Sequence, residues 1–252
     1  DIARVEYAPE EIRSLFRGNG VEQVGLGIVR QSRSNALEVG REVKAEIERI
    51  RPELPQGTNI VLTYDATLFV DRAAALGYDG VMLMAKRPHV SVLDYSAKER
   101  VALRARIEAR GLKHVVIAGY TNFTADLEHG EVPHREFQIQ HVASLAELAR
   151  DLGAGVVRVF SGYRHPAVSE GAQWNMTVAA LKECAARAAE HGVVIGLQNH
   201  HDLGAGWESY ADLLRAVGHP NCQALYDAWA PALQGGDLLA SAKALGGQTV
   251  HT

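Results

Sequence analysis

One unit recurs along the last two-thirds of the sequence: an amphipathic helical stretch, a glycine, and within a few residues a short run rich in β-branched and apolar side chains. Leu76-Gly77 precedes Val81 to Met84, Arg110-Gly111 precedes Val115 to Ala118, and Leu152-Gly153 precedes Val156 to Phe160. The unit returns as His191-Gly192 before Val193 to Leu197, Val217-Gly218 before Cys222 to Tyr226, and Leu245-Gly246 before Thr249 and Val250. A glycine in the left-handed conformation can close each helix, and a short loop then feeds the next strand. The stretches between carry a helical period: Val142, Leu145, Ala149 and Leu152 share a face, as do Leu181, Cys184, Ala185 and Ala188, and Tyr210, Leu213, Leu214 and Val217. Strands apolar on both faces that alternate with one-sided helices require a parallel sheet covered by helices. Spacing of roughly 25 to 40 residues between strands favours an incomplete (β/α)8 barrel. The alternative, an open doubly wound sheet, lacks a glycine-rich dinucleotide fingerprint in this sequence.

The first 71 residues follow a different pattern, an α+β segment of split βαβ type. Ala3 to Tyr7 alternates as a strand, Val21 to Val29 reads as a second, and Asn35 to Ile50 is an amphipathic helix with Val39, Val43, Ile47 and Ile50 on one face. Pro52, Pro55 and Gly57 interrupt the chain before a third expected strand, Asn59 to Tyr64. Residues 59 to 71 could then supply a first barrel strand: Ile60 to Tyr64, a helix from Thr67 to Leu76, and Val81 to Met84 make a right-handed βαβ unit.

A net charge of −4 gives no basic field to attract a phosphate backbone, which argues against a nucleic-acid partner. Neither cysteine, Cys184 or Cys222, has metal-knuckle or disulfide-framework spacing, so both read as buried thiols. No stretch is apolar over the length that a bilayer demands, so no membrane partner is expected for the barrel portion, and a homo-oligomer is permitted. The start, Asp1-Ile2-Ala3-Arg4, reads as though cut from something longer.

In a barrel of parallel strands the reacting groups gather at the C-terminal strand ends, where the loops converge over a packed core. Polar residues fall there repeatedly: Lys86, Arg87 and His89; Tyr120, Thr121 and Asn122; Arg158 within a strand, then Ser161, Tyr163, Arg164 and His165; and Gln198-Asn199-His200-His201-Asp202. Asp227, Trp229 and His251 follow the later strands. Loops are polar in any protein, and it is the recurrence at successive strand ends that gives the set its weight. Imidazole and carboxylate together suit a divalent transition metal. The ammonium of Lys86 and the planar guanidiniums of Arg158 and Arg164 suit a phosphate or carboxylate, so all three are anion candidates; the competing reading is salt bridges at the rim. Trp229 could wall a bound ligand or fill space beneath the loops, and Asp227 could be a helix cap.

Both portions resemble known families. Residues 1 to 71, through Asp1-Ile2-Ala3-Arg4-Val5-Glu6, Phe16-Arg17-Gly18-Asn19-Gly20, Val24-Gly25-Leu26-Gly27-Ile28, Leu54-Pro55-Gln56-Gly57 and Tyr64-Asp65, resemble a porter subdomain of the resistance-nodulation-division efflux pumps, which is periplasmic. Residues 72 to 252 resemble the xylose-isomerase-type barrels that include sugar phosphate isomerases and epimerases, through Ala75 to Val81, Lys86-Arg87-Pro88-His89, Leu197 to Asp202, and Tyr226-Asp227-Ala228-Trp229. Together they imply a chimera joined near Asp71, with a barrel truncated at both ends.

The second resemblance implies a cytoplasmic barrel and metal-assisted proton transfer next to a sugar carbonyl, with a small sugar or sugar phosphate as partner. It places metal ligands at Gln198, Asp227 and His251 around a divalent ion (Mn, Co, Zn or Mg), with the fourth acid of the family's set lying beyond Thr252. His200 or His201 would serve as the base, and Lys86, His89, Arg158, Arg164, Asn199 and Trp229 would bind substrate. Gln198 departs from the family's acid, since an amide can offer a cation its oxygen but cannot take a proton at neutral pH. Ala230 stands where family members often carry a sugar-contacting histidine. The expectation is therefore a weakly held metal and little turnover. Two other readings remain open: a fragment of a multidrug efflux transporter, and a barrel that binds a sugar or phosphate without transforming it. A same-fold endonuclease is disfavoured by the acidic balance.

Overall fold

A computed structural model describes residues 16–18, 21–24, 28, 36–60, 66–87, 89–200 and 203–252. The chain divides into two compact units, Asp1–Gln31 and Ser32–Thr252. The first contains strands β1 (Phe16–Gly18) and β2 (Val21–Gln23), paired antiparallel with Phe16 opposite Gln23. The strand expected over Val21 to Val29 stops at Gln23, and Val24 and Ile28 lie outside it, well exposed. The strand expected at Ala3 to Tyr7 lies outside the described residues.

The second unit opens with helix α1 (Ala36–Ile50), whose Val39, Val43, Ile47 and Ile50 are half-buried, as its period predicts. Asn59 and Ile60 are not in a strand, and residues 61–65 lie outside the described set, as does the proposed pairing of that segment with Val81 to Met84. Helix α2 (Ala66–Ala75) buries Val70 and Ala73. Six parallel strands follow in sequential order: β3 (Gly80–Met84), β4 (His114–Ala118), β5 (Val156–Val159), β6 (Val194–Gln198), β7 (Cys222–Leu225) and β8 (Thr249–His251). Between them run α3 (Ala97–Ala109), α4 (His134–Leu152), α5 (Glu170–Ala189), α6 (Trp207–Val217), α7 (Trp229–Leu233) and α8 (Leu238–Leu245). This is an α/β half-barrel, a curled parallel sheet backed by helices.

Each of these strands lies where the repeat expects it, with small differences at the ends. Gly77, Gly111, Gly153, Gly192 and Gly218 adopt the positive φ the repeat requires. Gly246 does not: with φ −53 it begins a 3-10 turn leading into β8.

Alternation along the strands separates two environments. Val81, Leu83, Val115, Ile117, Val157, Val159, Ile195, Leu197 and Ala224 join the core formed with the buried helix faces, including Leu145, Leu148, Leu181, Cys184, Tyr210 and Leu213. Met82, Met84, Arg158, Gln198 and Leu225 alternate with these and face the concave side. Burial pushes both thiols up, Cys222 to about 12, so they are inert at neutral pH.

Helix α2 is pinned to α3 by Asp71, whose carboxylate accepts from Arg106 Nε and Arg110 Nε, each at 2.9 Å. The two guanidiniums hold its carboxyl down at about 2, below the ordinary 3.8. A depressed carboxyl stabilises the fold in full above the ordinary pKa, and that contribution is lost as pH falls through about 2. Asp71→Asn is expected to cost about 1 kcal/mol at pH 7, solvent screening limiting the effect of a partly exposed site. Urea titrations should show wild type and variant differing at pH 7 and converging near pH 2; an equal gap at both would rule the ion pairs out as the cause.

Candidate functional site

The concave side of the half-barrel holds a cavity of about 710 Å³ lined by Met82, Met84, Ala118, Tyr120, Arg158, Gln198, Leu225, Tyr226, Asp227, Ala228, Ala242, His251 and Thr252. These residues come from strands β3 to β8 and the segments that follow them. Parallel strands of nearly equal length bring their C-terminal ends to one level, so side chains distant in sequence converge there.

A chain of hydrogen bonds runs across its floor. Arg158 donates from Nη1 to Gln198 Oε1 at 2.9 Å, and Gln198 donates from Nε2 to Asp227 Oδ2 at 2.8 Å. The second Asp227 oxygen, Oδ1, accepts from the Trp229 backbone N–H at 2.8 Å, at the first residue of α7. Fully buried Asn199 clamps this segment from behind: its amide donates to the Asp227 carbonyl and its oxygen accepts from the Asp227 N–H, both at 2.7 Å. Asn199 thus supports Asp227 rather than lining the cavity.

Arg158 is only 6% exposed, and its guanidinium lies against two rings, 4.7 Å from the Tyr120 centroid and 4.2 Å from that of Phe160. Burial pulls this group below its ordinary pKa, opposed by the Tyr120 hydroxyl. Its Nε is buried without a hydrogen-bond partner. Lys86 Nζ covers the Tyr120 ring at 4.0 Å, so that ring has cations against it from both β3 and β5 sides. His89 is half-buried, and burial, then the Lys86 charge, lowers its pKa.

His251 lies within β8, its carbonyl accepting from the Tyr226 N–H at 2.9 Å, so it is anchored rather than frayed. Burial first, and His114 second, lowers its pKa, which favours neutral imidazole at pH 7. His200 packs on Phe160 with centroids 4.8 Å apart and does not line the cavity, and His201 lies outside the described residues. Arg164 forms an exposed ion pair with Glu170 at 3.0 Å and does not line the cavity. Trp229, 69% exposed, opens α7 and does not line it either.

The structure therefore brings Gln198, Asp227, His251 and Arg158 together, with Lys86 at the edge. The sequence places Tyr120 among the strand-end polar residues without a specific role and gives no such place to Phe160. The available signal was the two-residue spacing of Arg158 and Phe160 along one chain segment, which puts both side chains on the same side.

These residues do not fit a divalent cation as they are arranged. Gln198 Oε1, the one oxygen it could offer, accepts from a permanently charged guanidinium, and a dication there would face that charge across a single atom. Both Asp227 oxygens already accept hydrogen bonds. Among the described residues no three His, Cys, Asp or Glu side chains are grouped to hold a metal.

Known proteins resemble the two ends of the chain separately. Residues 1–76 match the AcrB/AcrD/AcrF family. Over 70 residues the chain is 39% identical to the multidrug export protein AcrF of Escherichia coli K12, covering 28% of this chain and 7% of that protein. It is 40% identical over 73 residues to the cation efflux system protein CusA of Escherichia coli O157:H7, covering 29% of this chain and again 7% of the relative. The chain thus spans only a small fraction of those pumps, and among the described residues no helix is long and apolar enough to cross a membrane.

Many solved structures share the fold. D-psicose 3-epimerase from Clostridium cellulolyticum H10 superposes with TM-score 0.65 at 16% identity, over 74% of this chain and 66% of that one. The corresponding values for Escherichia coli 3-keto-D-glucoside 4-epimerase are 0.62, 15%, 77% and 75%. For the probable 3-DHS dehydratase AsbF of Bacillus anthracis they are 0.59, 20%, 76% and 67%. The sequence match that decides membership covers residues 70–252, well over half of the chain, with strands β3 to β8 and the whole cavity inside it: the protein belongs to the xylose isomerase-like TIM barrel family.

Proposed function

We propose that residues 72–252 form a sugar isomerase/epimerase-like domain that binds a small keto sugar or sugar derivative in the β3 to β8 cavity, with its proton-transfer chemistry impaired. The observation that carries this reading is the convergence of Gln198, Asp227 and His251 from three successive strands on one cavity that also holds a buried guanidinium. Asp227 and the Gln198 amide can orient sugar hydroxyls, and the neutral imidazole of His251 can accept a proton from carbon next to the carbonyl. His201, which lies outside the described residues, stays a candidate for that base, whereas His200 packs on Phe160 and does not line the cavity. What this cavity lacks is the acid at position 198, because Gln198 stands where the family pattern has a carboxylate. General acid–base catalysis is worth roughly 10²- to 10⁴-fold, and turnover should be lower than in an intact site by that order.

The test is deuterium exchange into D-psicose, followed by NMR with the full chain. The expected result is saturable binding that perturbs Tyr120 and Leu225, with exchange barely above the uncatalysed rate. Rapid exchange would show that the loss of the acid is compensated, and no saturable perturbation of those residues by any sugar or sugar derivative would remove the reading.

A second reading concerns residues 1–71 alone. Their likeness to AcrF and CusA supports a porter-type piece of a periplasmic efflux assembly, carrying no part of the barrel's cavity.

A further inference from the structure

The charge distribution of the cavity is lopsided in a way a neutral ketose does not use. Arg158 is a permanent cation almost wholly removed from solvent, and among the described residues no carboxylate pairs with it directly. Its contacts are an amide oxygen and two aromatic rings, and its Nε donor has no partner. A buried guanidinium with an unused donor is unfavourable until an anion supplies the missing acceptor, and its planar fork matches carboxylate or phosphate. Lys86, also against the Tyr120 ring, adds a second positive charge beside it. The negative group, Asp227, lies beyond Gln198 and is reached from Arg158 only through that amide. A ligand with an anionic end and hydroxyls at the other meets a complementary group at both ends.

We propose that this cavity binds an anionic sugar derivative, a sugar acid or a sugar phosphate, through its charged group docked on Arg158 without any metal ion. Arg158 is then the site's fixed cation, standing where a dication would otherwise neutralise ligand charge. The inference rests on the reading of this cavity as the sugar site and narrows its substrate class. Gln198 holds the guanidinium and the carboxylate apart, which keeps Arg158 open to the ligand. An acid at the same position would close it with an internal ion pair.

The test titrates the full chain with D-gluconate, D-glucose 6-phosphate, inorganic phosphate and neutral D-psicose, each with and without EDTA, by calorimetry and by the NMR signal of the Arg158 Nε–H. Expected is binding of at least one sugar anion roughly tenfold or more tighter than D-psicose, a difference of about 1.4 kcal/mol. It should be unaffected by EDTA and accompanied by a shift of the Arg158 Nε–H resonance. Whichever of D-gluconate and D-glucose 6-phosphate binds tighter identifies the anionic group. Arg158→Gln should bring the ratio of anion to D-psicose affinity close to one, with Arg158→Lys intermediate. The Nε–H signal of the wild type decides the matter if neither variant folds. Equal affinity for D-psicose and the sugar anions, or loss of anion binding with EDTA, overturns the inference and leaves the sugar site standing. Binding of inorganic phosphate alone, with no preference for either sugar anion, removes the sugar reading and the inference together.

Discussion

Gln198→Glu is expected to raise the affinity of the full chain for Mn²⁺ by roughly 100-fold, because the number of charged oxygens in a cation's shell is the main control on its affinity. In the wild type the Gln198 amide donates to Asp227 Oδ2 at 2.8 Å, which consumes an acceptor the cation would need. A carboxylate at 198 cannot donate, so at neutral pH it confronts Asp227 with a second negative charge and the pair is relieved by a cation. His251 lines the same cavity and can supply a nitrogen. Arg158 opposes this by pairing with the new acid, and the same pairing should cost D-gluconate affinity about tenfold, as expected when a buried cation's charge is already met. Calorimetry with Mn²⁺ and with D-gluconate checks both halves. Unchanged Mn²⁺ affinity would mean that Arg158 captures the introduced carboxylate completely or that Asp227 and His251 are not presented to one ion.

Gly119→Ala should cost the fold about 2 to 3 kcal/mol, in the range measured when atoms are forced into a filled core. Gly119 follows β4, and its N–H donates to the Arg158 carbonyl at 2.9 Å. A Cβ built there would stand 2.8 Å from that carbonyl and 2.7 Å from Leu145 Cδ1. Leu145 is fully buried, and the carbonyl belongs to a strand paired on both sides, so neither neighbour can move freely. The backbone that would shift is that of Arg158 itself, so anion selectivity should fall along with stability. Denaturant unfolding measures the first effect and the gluconate to psicose ratio the second. A variant as stable as wild type within about 0.5 kcal/mol, the usual scatter for uneventful substitutions, would show that β4 and β5 do not approach so closely.

The barrel's strands and helices were legible because each helix carries its own buried stripe and most end on a glycine with positive φ, both local signals. Gly246 shows the limit of that rule. The letters Leu245-Gly246 match the repeat, but a following 3-10 turn sets its backbone, and nothing in the dipeptide distinguishes the two cases. In the N-terminal segment alternation overstated β2, since Val24 and Ile28 continue the apolar pattern while lying outside the strand, exposed to solvent. Periodicity reports where apolar side chains could share a face, and only a partner strand decides whether they do.

At the site, the sequence determined which kinds of group arrive at the strand ends, because position along a parallel strand fixes the level that its last residues reach. It thereby placed Gln198, Asp227 and His251 on one rim and Arg158 inside a strand. Tertiary structure alone decided their partners: Arg158 to Gln198, Gln198 to Asp227, Asn199 behind Asp227, Arg164 out to Glu170, and Trp229 away from the cavity. Hydrogen bonds and ion pairs depend on separations of a few tenths of an ångström, here across 28 to 40 residues of chain for the Arg158, Gln198 and Asn199 contacts, and that precision comes from packing, which no local pattern in the chain encodes.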